Sequence, residues 1–301
     1  MVDKVSVYPT VVGALPDISE YEARLRARAG ASDQDFPVEV FKLEPPGACK
    51  RPLVLLGGMG PLAGTQAFRA ALDRFGEDRL VVLVQQCNVP DRTVALLADA
   101  KEGQLSAIHH EVVARMADGL RLGWQHAGEG AALIVTCNTG HAFVAEAFAE
   151  LEARGSGKPY QLFSLMESAA AELEKPEMRA KGEILILATD GTRRNRIYSD
   201  YFADRGIPYR DPGNEAQAVL MQGLYEGVKG CDEDRTLDRG TELMRVLGQD
   251  AHLELYLAGC TEVPELIDVL KQHGTAEIKS ILQDVTVIDP VVLALDRVAA
   301  S

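Results

Sequence analysis

The chain has 301 residues, 47% hydrophobic and 25% charged, which is the composition of a globular protein and the length of two domains rather than one core. Its formal net charge of -14 argues against nucleic acid or an anionic membrane surface as partner, and no apolar run reaches the length of a bilayer span. The opening Met1-Val2-Asp3-Lys4 lacks the basic-then-apolar order of a secretory signal, so the cytoplasm is the expected location.

Residues 1–50 read as an N-terminal extension. Residues 5–12 suit one strand, and 18–29 suit a polar helix capped by Asp17 or Ser19. Gly30-Ala31-Ser32-Asp33 and Pro45-Pro46-Gly47 punctuate the stretch. Either it packs on the body or on a second subunit, or it is a partly ordered arm.

From residue 52 strands and helices alternate. Residues 52–57 form an apolar strand closed by Gly57-Gly58-Met59-Gly60-Pro61, and 65–75 are helical in period. Residues 80–84 form a second strand, with Pro90-Asp91-Arg92 as a loop. A long amphipathic helix covers 104–122, with Ile108, Val112, Met116 and Leu120 on one face. Residues 131–136 are a third strand and 139–153 a helix. The linker Arg154-Gly155-Ser156-Gly157-Lys158-Pro159 ends the first domain, 51–157.

The second domain, 158–288, repeats the pattern. Strands are expected at 160–163, 183–188, 207–209, 252–257 and 285–288. Helices are expected from about 165, over 189–205, 215–229, 234–247 and 262–273, and from Pro290. That last helix, about 289–301, is expected to pack back on the first domain. Apolar strands each followed by a helix indicate an α/β fold with parallel sheets covered on both faces. Ligands in such folds sit beyond the carboxyl ends of the strands.

Two stretches at that end read alike: Ile134-Val135-Thr136-Cys137-Asn138-Thr139 and Tyr256-Leu257-Ala258-Gly259-Cys260-Thr261. Each delivers a thiol to a βα turn, where a helix N-terminus favours the thiolate. Alone, either cysteine would be a small core residue; the matched context points to a pair of proton-transfer groups. Cys87 ends a strand without a following hydroxyl and reads as packing, while Cys49 and Cys231 sit in polar surroundings. No two of the five cysteines have the spacing of a zinc knuckle or redox dithiol, so free thiols, no metal and no cofactor are expected.

Other positions carry two readings each. The Gly57–Gly60 turn either admits an anion to backbone amides or is simply tight. His141 either tunes Cys137 or packs beneath its turn; Glu262 either polarises Cys260 or complements a helix dipole. Thr189 and Thr192 bind a carboxylate or cap the following helix. Arg92 offers a planar fork to a carboxylate or forms a surface ion pair.

These segments together resemble the cofactor-independent aspartate/glutamate racemase superfamily, closest to its aspartate racemase branch. The matching segments are Gly57-Gly58-Met59-Gly60-Pro61, Val89-Pro90-Asp91-Arg92-Thr93, Cys137-Asn138-Thr139-Gly140-His141, Ala188-Thr189-Asp190-Gly191-Thr192 with Ile197-Tyr198, and Gly259-Cys260-Thr261-Glu262. The resemblance runs from about residue 52 to the end and leaves the extension uncovered. It implies two similar three-layer α/β domains related by a pseudo-twofold, an active site in the cleft between them, and commonly a homodimer. It further implies Cys137 and Cys260 as the acid/base thiols. Asn138, Thr139, Thr189 and Thr261 would hold the α-carboxylate and amine, with Gly191, Thr192 and Glu262 beside them. Met59 and Gly60 would line the pocket, and Arg92 would take a side-chain carboxylate.

Three departures bear on the substrate. Gly140 stands where the family often has alanine. Gln85-Gln86 replace the usual asparagines, unless Asn88 serves. Ser199-Asp200-Tyr201 follow Tyr198, where aspartate racemases tend to place a lysine. The expected activity is racemisation of an amino acid, aspartate or glutamate first, with one thiolate and one thiol acting on opposite faces of Cα. The alternatives are another carbanion-forming isomerase or decarboxylase, and an inactive amino-acid-binding relative. Both thiols being present counts against the last two.

Overall fold

The computed structural model describes residues 5–8, 19–27, 38–60, 62–155 and 160–301. Expected features at residues 9–12, Asp17, residue 18, residues 28–33, Pro61 and residues 156–159 lie outside the described residues. Two compact units emerge: Met1–Leu165 with Ala294–Ser301, and Met166–Leu293.

The first unit contains β1 (Val5–Tyr8), α1 (Ser19–Ala27), β2 (Val38–Leu43), β3 (Lys50–Gly57), α2 (Ala63–Phe75), β4 (Arg79–Gln85), α3 (Arg92–Glu102), α4 (Ala107–Ala127), β5 (Ala131–Val135), α5 (Val144–Ala153) and β6 (Tyr160–Leu162). Its sheet order is β1-β2-β4-β3-β5-β6. β3 pairs in parallel with both β4 and β5, so all three deliver their carboxyl ends to one edge. Every residue of β4 and β5 is buried, as expected for strands covered on both faces. α4 lays Val112, Met116 and Leu120 on the core beneath them, with Ile108 packed at its margin.

The second unit contains α6 (Leu165–Leu173), α7 (Pro176–Arg179), β7 (Ile184–Ala188), α8 (Asp190–Arg194), α9 (Ser199–Ala203), β8 (Tyr209–Arg210), α10 (Asn214–Gln222), α11 (Glu233–Leu247), β9 (Leu255–Gly259), α12 (Val263–His273), α13 (Ala276–Asp284) and β10 (Thr286–Ile288). The four strands run β10-β9-β7-β8, all parallel. The chain ends in α14 (Pro290–Ala299), whose Val298 carbonyl accepts from Arg79 Nη2 at 3.1 Å.

Several elements depart from the sequence expectation, each for a physical reason. β2 lies within the extension yet pairs antiparallel with β4, which makes the first sheet mixed. Its apolar pattern is masked by Glu39, a buried carboxylate held by Arg24 at 3.2 Å. Arg92, read as loop, opens α3, because Asp91 caps that helix by accepting from the Val94 amide at 3.0 Å. The helix expected over 189–205 is two short ones, interrupted where Arg196 takes a left-handed φ of 54°. α10 continues into a π-helical stretch, Gly223–Val228, and α13 was not anticipated.

Candidate active site

Within the first unit the candidate residues gather at the carboxyl ends of β3, β4 and β5. Gly58 turns the chain after β3 at φ 83°, and a side chain there would come within 2.6 Å of the Gln86 backbone. Only glycine combines that conformation with that approach. The turn leaves Met59 buried, with its carbonyl accepting from Arg92 Nη2. Arg92 Nη1 donates to the carbonyls of Val89 at 3.2 Å and Pro90 at 3.0 Å. The guanidinium is thus fixed by three backbone carbonyls from two loops rather than lying on the surface. Gln86, one of the two departing glutamines, donates from Nε2 to Asn88 Oδ1 at 2.8 Å.

Cys137 follows β5 and is buried, as are Asn138 and Thr139. A 3-10 turn, Thr139–Phe143, begins two residues after Cys137, and the Gly140 amide donates to Cys137 Sγ at 3.3 Å. An alanine Cβ at position 140 would sit 3.4 Å from Met59 Sδ and 3.5 Å from Cys137 Sγ, so glycine leaves room beside the sulfur. His141 Nδ1 donates to the Cys137 carbonyl at 2.9 Å, and Nε2 accepts from the Leu165 amide at 3.4 Å. Burial drives the His141 pKa down to about 4, against the pull of its backbone partners. At neutral pH this histidine is an uncharged pin beneath the Cys137 turn, with neither ring nitrogen directed to the thiol.

Within the second unit, β7 and β9 pair so that Ala188 lies opposite Gly259. Thr189 and Cys260 therefore leave adjacent strands side by side. A Cβ at Gly259 would fall 2.8 Å from that of Ala188, so this pairing requires glycine. Thr189 caps α8 by accepting from the Thr192 amide at 3.4 Å, and both hydroxyls are buried. Gly191 is buried in the same first turn. Gln217, not singled out from the sequence, donates to Ala188 O and Asp190 Oδ1 at 3.0 Å each and so braces this turn.

Cys260 Sγ donates to Glu262 Oε2 at 2.9 Å, and the Thr261 hydroxyl donates to the same oxygen at 3.1 Å. Glu262 is buried, and its Oε1 has no hydrogen-bond partner among the described residues. Burial, reinforced by the Glu262 charge, pushes the Cys260 thiol well above its ordinary pKa, while Lys229 pulls against them. Lys229 is the second residue the sequence reading missed. It follows the π-helical stretch, with its ammonium 3.9 Å from the centre of the Tyr225 ring. The usable signal was a lysine set among glycines, Gly227-Val228-Lys229-Gly230, which periodicity alone assigns to an ordinary helix end. Tyr198 is buried, and its phenol is pushed up by burial and by the charges of Asp289 and Cys260.

The profile of the Asp/Glu/Hydantoin racemase family matches residues 56–298. The chain belongs to that family. Among solved structures, this family member is similar to the Picrophilus torridus aspartate racemase, at 19% identity and a TM-score of 0.59, over 83% of this chain and 95% of that one. It is also similar to an aspartate racemase homologue from Pyrococcus horikoshii OT3, at 15% identity and a TM-score of 0.51, over 84% and 100% of the two chains. At these identities the likeness establishes the shared α/β fold, with parallel strands and helices on both sides of the sheets. Of the racemase-family segments expected from the sequence, Met59, Arg92 and Cys137 come together in the first unit. Thr189, Thr192, Cys260, Thr261 and Glu262 do so in the second. Among the described residues, no three or more His, Cys, Asp or Glu side chains are grouped to hold a metal ion. No described helix is long and apolar enough to cross a membrane.

Proposed function

We propose that the protein is a cofactor-independent amino-acid racemase, acting on aspartate or glutamate, with Cys137 and Cys260 as the two acid/base groups. The observation that carries this reading is the matched placement of two buried cysteines, each at the carboxyl end of a parallel strand, with a hydrogen bond at its sulfur. One thiolate removes the Cα proton, the other thiol supplies a proton to the opposite face, and the roles exchange in the reverse direction. Cys260 is the proton donor of the resting enzyme, because burial and Glu262 both favour its thiol form. Glu262 then accepts the hydrogen bond while Cys260 is protonated and opposes formation of its thiolate. Lys229 offsets that opposition when the role reverses.

Substrate binding in this reading uses Asn138, Thr139, Thr189, Thr192 and Thr261 as donors around the α-carboxylate, where carbanion charge accumulates. Gly60 and Gly191 leave backbone accessible there, and Arg92 supplies positive charge for a side-chain carboxylate. The reading includes a homodimer, as the family resemblance implies, and a cytoplasmic location.

Turnover in heavy water, without added cofactor, is the test. A racemase incorporates solvent deuterium at Cα of aspartate or glutamate, whereas a binding protein gives no exchange. Replacing Cys137 or Cys260 by alanine abolishes racemisation in both directions. Arg92→Ala lowers kcat/KM for acidic amino acids far more than for neutral ones. Near-wild-type turnover in either cysteine variant refutes the two-thiol assignment.

A further inference from the structure

Away from the thiols, the first unit holds a polar cluster, centred on a buried histidine, that the proton-transfer chemistry does not use. His109, on the first turn of α4, is buried, and each of its ring nitrogens faces a carboxylate. Nδ1 is 2.6 Å from Asp99 Oδ2 on α3, and Nε2 is 3.1 Å from Glu146 Oε1 on α5. Asp99 is anchored in turn, since its Oδ1 accepts from both the amide and the hydroxyl of Ser106 at 2.7 Å. Burial acts to raise the Asp99 pKa, but the bonds from Ser106 and His109 hold it below the ordinary carboxylate value. The ring centre also lies 4.7 Å from that of Phe143, at the end of the Cys137 turn, and 5.9 Å from that of His110.

The elements so joined are those that carry the first unit's candidate residues. α3 opens with Arg92, and α5 continues the 3-10 turn that starts two residues after Cys137. Asp99 lies seven residues from Arg92, about 10 Å along the helix. A bridge across the ring therefore links α3, which opens with Arg92, to α5, which follows the 3-10 turn after Cys137. Hydrogen bonds to charged partners are the strong ones, and a carboxylate stands at each of the two ring nitrogens.

We propose that His109 is a positioning residue that sets the Cys137 turn relative to Arg92 by bridging Asp99 and Glu146. This inference rests on the racemase reading for its kinetic consequence, but not for its structural one. Ser106 completes the device by fixing the Asp99 carboxylate that the ring engages.

The test compares the wild type with His109→Gln and Glu146→Gln. Peptide-resolved mass spectrometry follows iodoacetamide alkylation of Cys137 and Cys260 in the native protein. The expected result is an alkylation rate at Cys137 changed by about threefold or more in His109→Gln, with Cys260 unchanged. Glu146→Gln keeps the Asp99 half of the bridge and shifts Cys137 in the same direction by less. With aspartate as substrate, His109→Gln lowers kcat about tenfold or more and raises KM. Equal change at both cysteines, or none at Cys137, overturns the proposal, because a merely stabilising histidine would not single out one thiol. If His109→Gln does not fold, the Glu146→Gln alkylation ratio decides by the same criterion. A selective effect on Cys137 in a protein that racemises nothing sustains the bridge and refutes the racemase reading.

Discussion

Acid should loosen this protein through His141, and the size of the effect follows from its surroundings. The folded ring is held neutral, with its pKa lowered from 6.5 to about 4, by burial against the pull of the Cys137 and Asn138 backbones. The unfolded chain thus binds a proton that the folded chain refuses. Stability from this group is complete above the unfolded value and is lost as pH falls from there toward the folded value. Between about pH 7 and about pH 4.5 the linkage amounts to roughly 2 kcal/mol. The perturbation is His141→Asn, whose shorter amide keeps a donor for the Cys137 carbonyl but leaves the Leu165 amide without its acceptor, at a cost of about 1 kcal/mol at neutral pH. Urea unfolding followed by circular dichroism at both pH values gives the comparison. Every other carboxylate and histidine contributes equally to both proteins, so the difference isolates this ring. The variant should be less stable than wild type at neutral pH and lose about 2 kcal/mol less on acidification, which reverses their order. Parallel pH dependences would refute the assignment of His141 as a buried neutral pin.

Two further outcomes can be checked. Glu262→Gln removes the charge that helps keep Cys260 protonated, so iodoacetamide should alkylate Cys260 faster at mildly alkaline pH while Cys137 is unaffected. Deleting residues 1–48 strips β2 from the edge of β4 and removes the buried side chains of Tyr21, Leu25 and Phe41. The truncated chain should lose more than about 3 kcal/mol and aggregate through the uncovered strand, as read by unfolding midpoint and light scattering.

What the sequence revealed and what it hid divide along one physical line. β5, β7 and β9 are continuous apolar runs buried on both faces, as are residues 53–57 of β3 and 80–84 of β4, and such runs mark themselves. The turns that follow them carry glycines and thiols whose placement is local, so the Cys137 and Cys260 segments were legible. β2 was not, because its glutamate reads as polar and the partner that holds it, Arg24, lies fifteen residues away in sequence. Lys229 was hidden for a similar reason: a π-helical stretch changes which side of the helix a residue faces, and the sequence does not announce that change. His109 was read only as part of an amphipathic helix, since its partners come from the helices before and after it.

The two thiols are placed alike by the strands but differ in their immediate partners, and that difference constrains the proposed chemistry. Cys137 has an amide directed at its sulfur, whereas Cys260 has a carboxylate that accepts its proton and a lysine acting against that carboxylate. Enantiomers have equal free energy in water, so the ratio of kcat/KM in the two directions must equal one whatever the surroundings of each thiol. Unequal environments can therefore alter kcat for one enantiomer only with a compensating change in KM. A racemase needs no symmetry between its two bases; it needs each to be returned to its starting protonation state after turnover. In the proposed mechanism Glu262 favours the Cys260 thiol and Lys229 its thiolate, so both forms are served at the same sulfur.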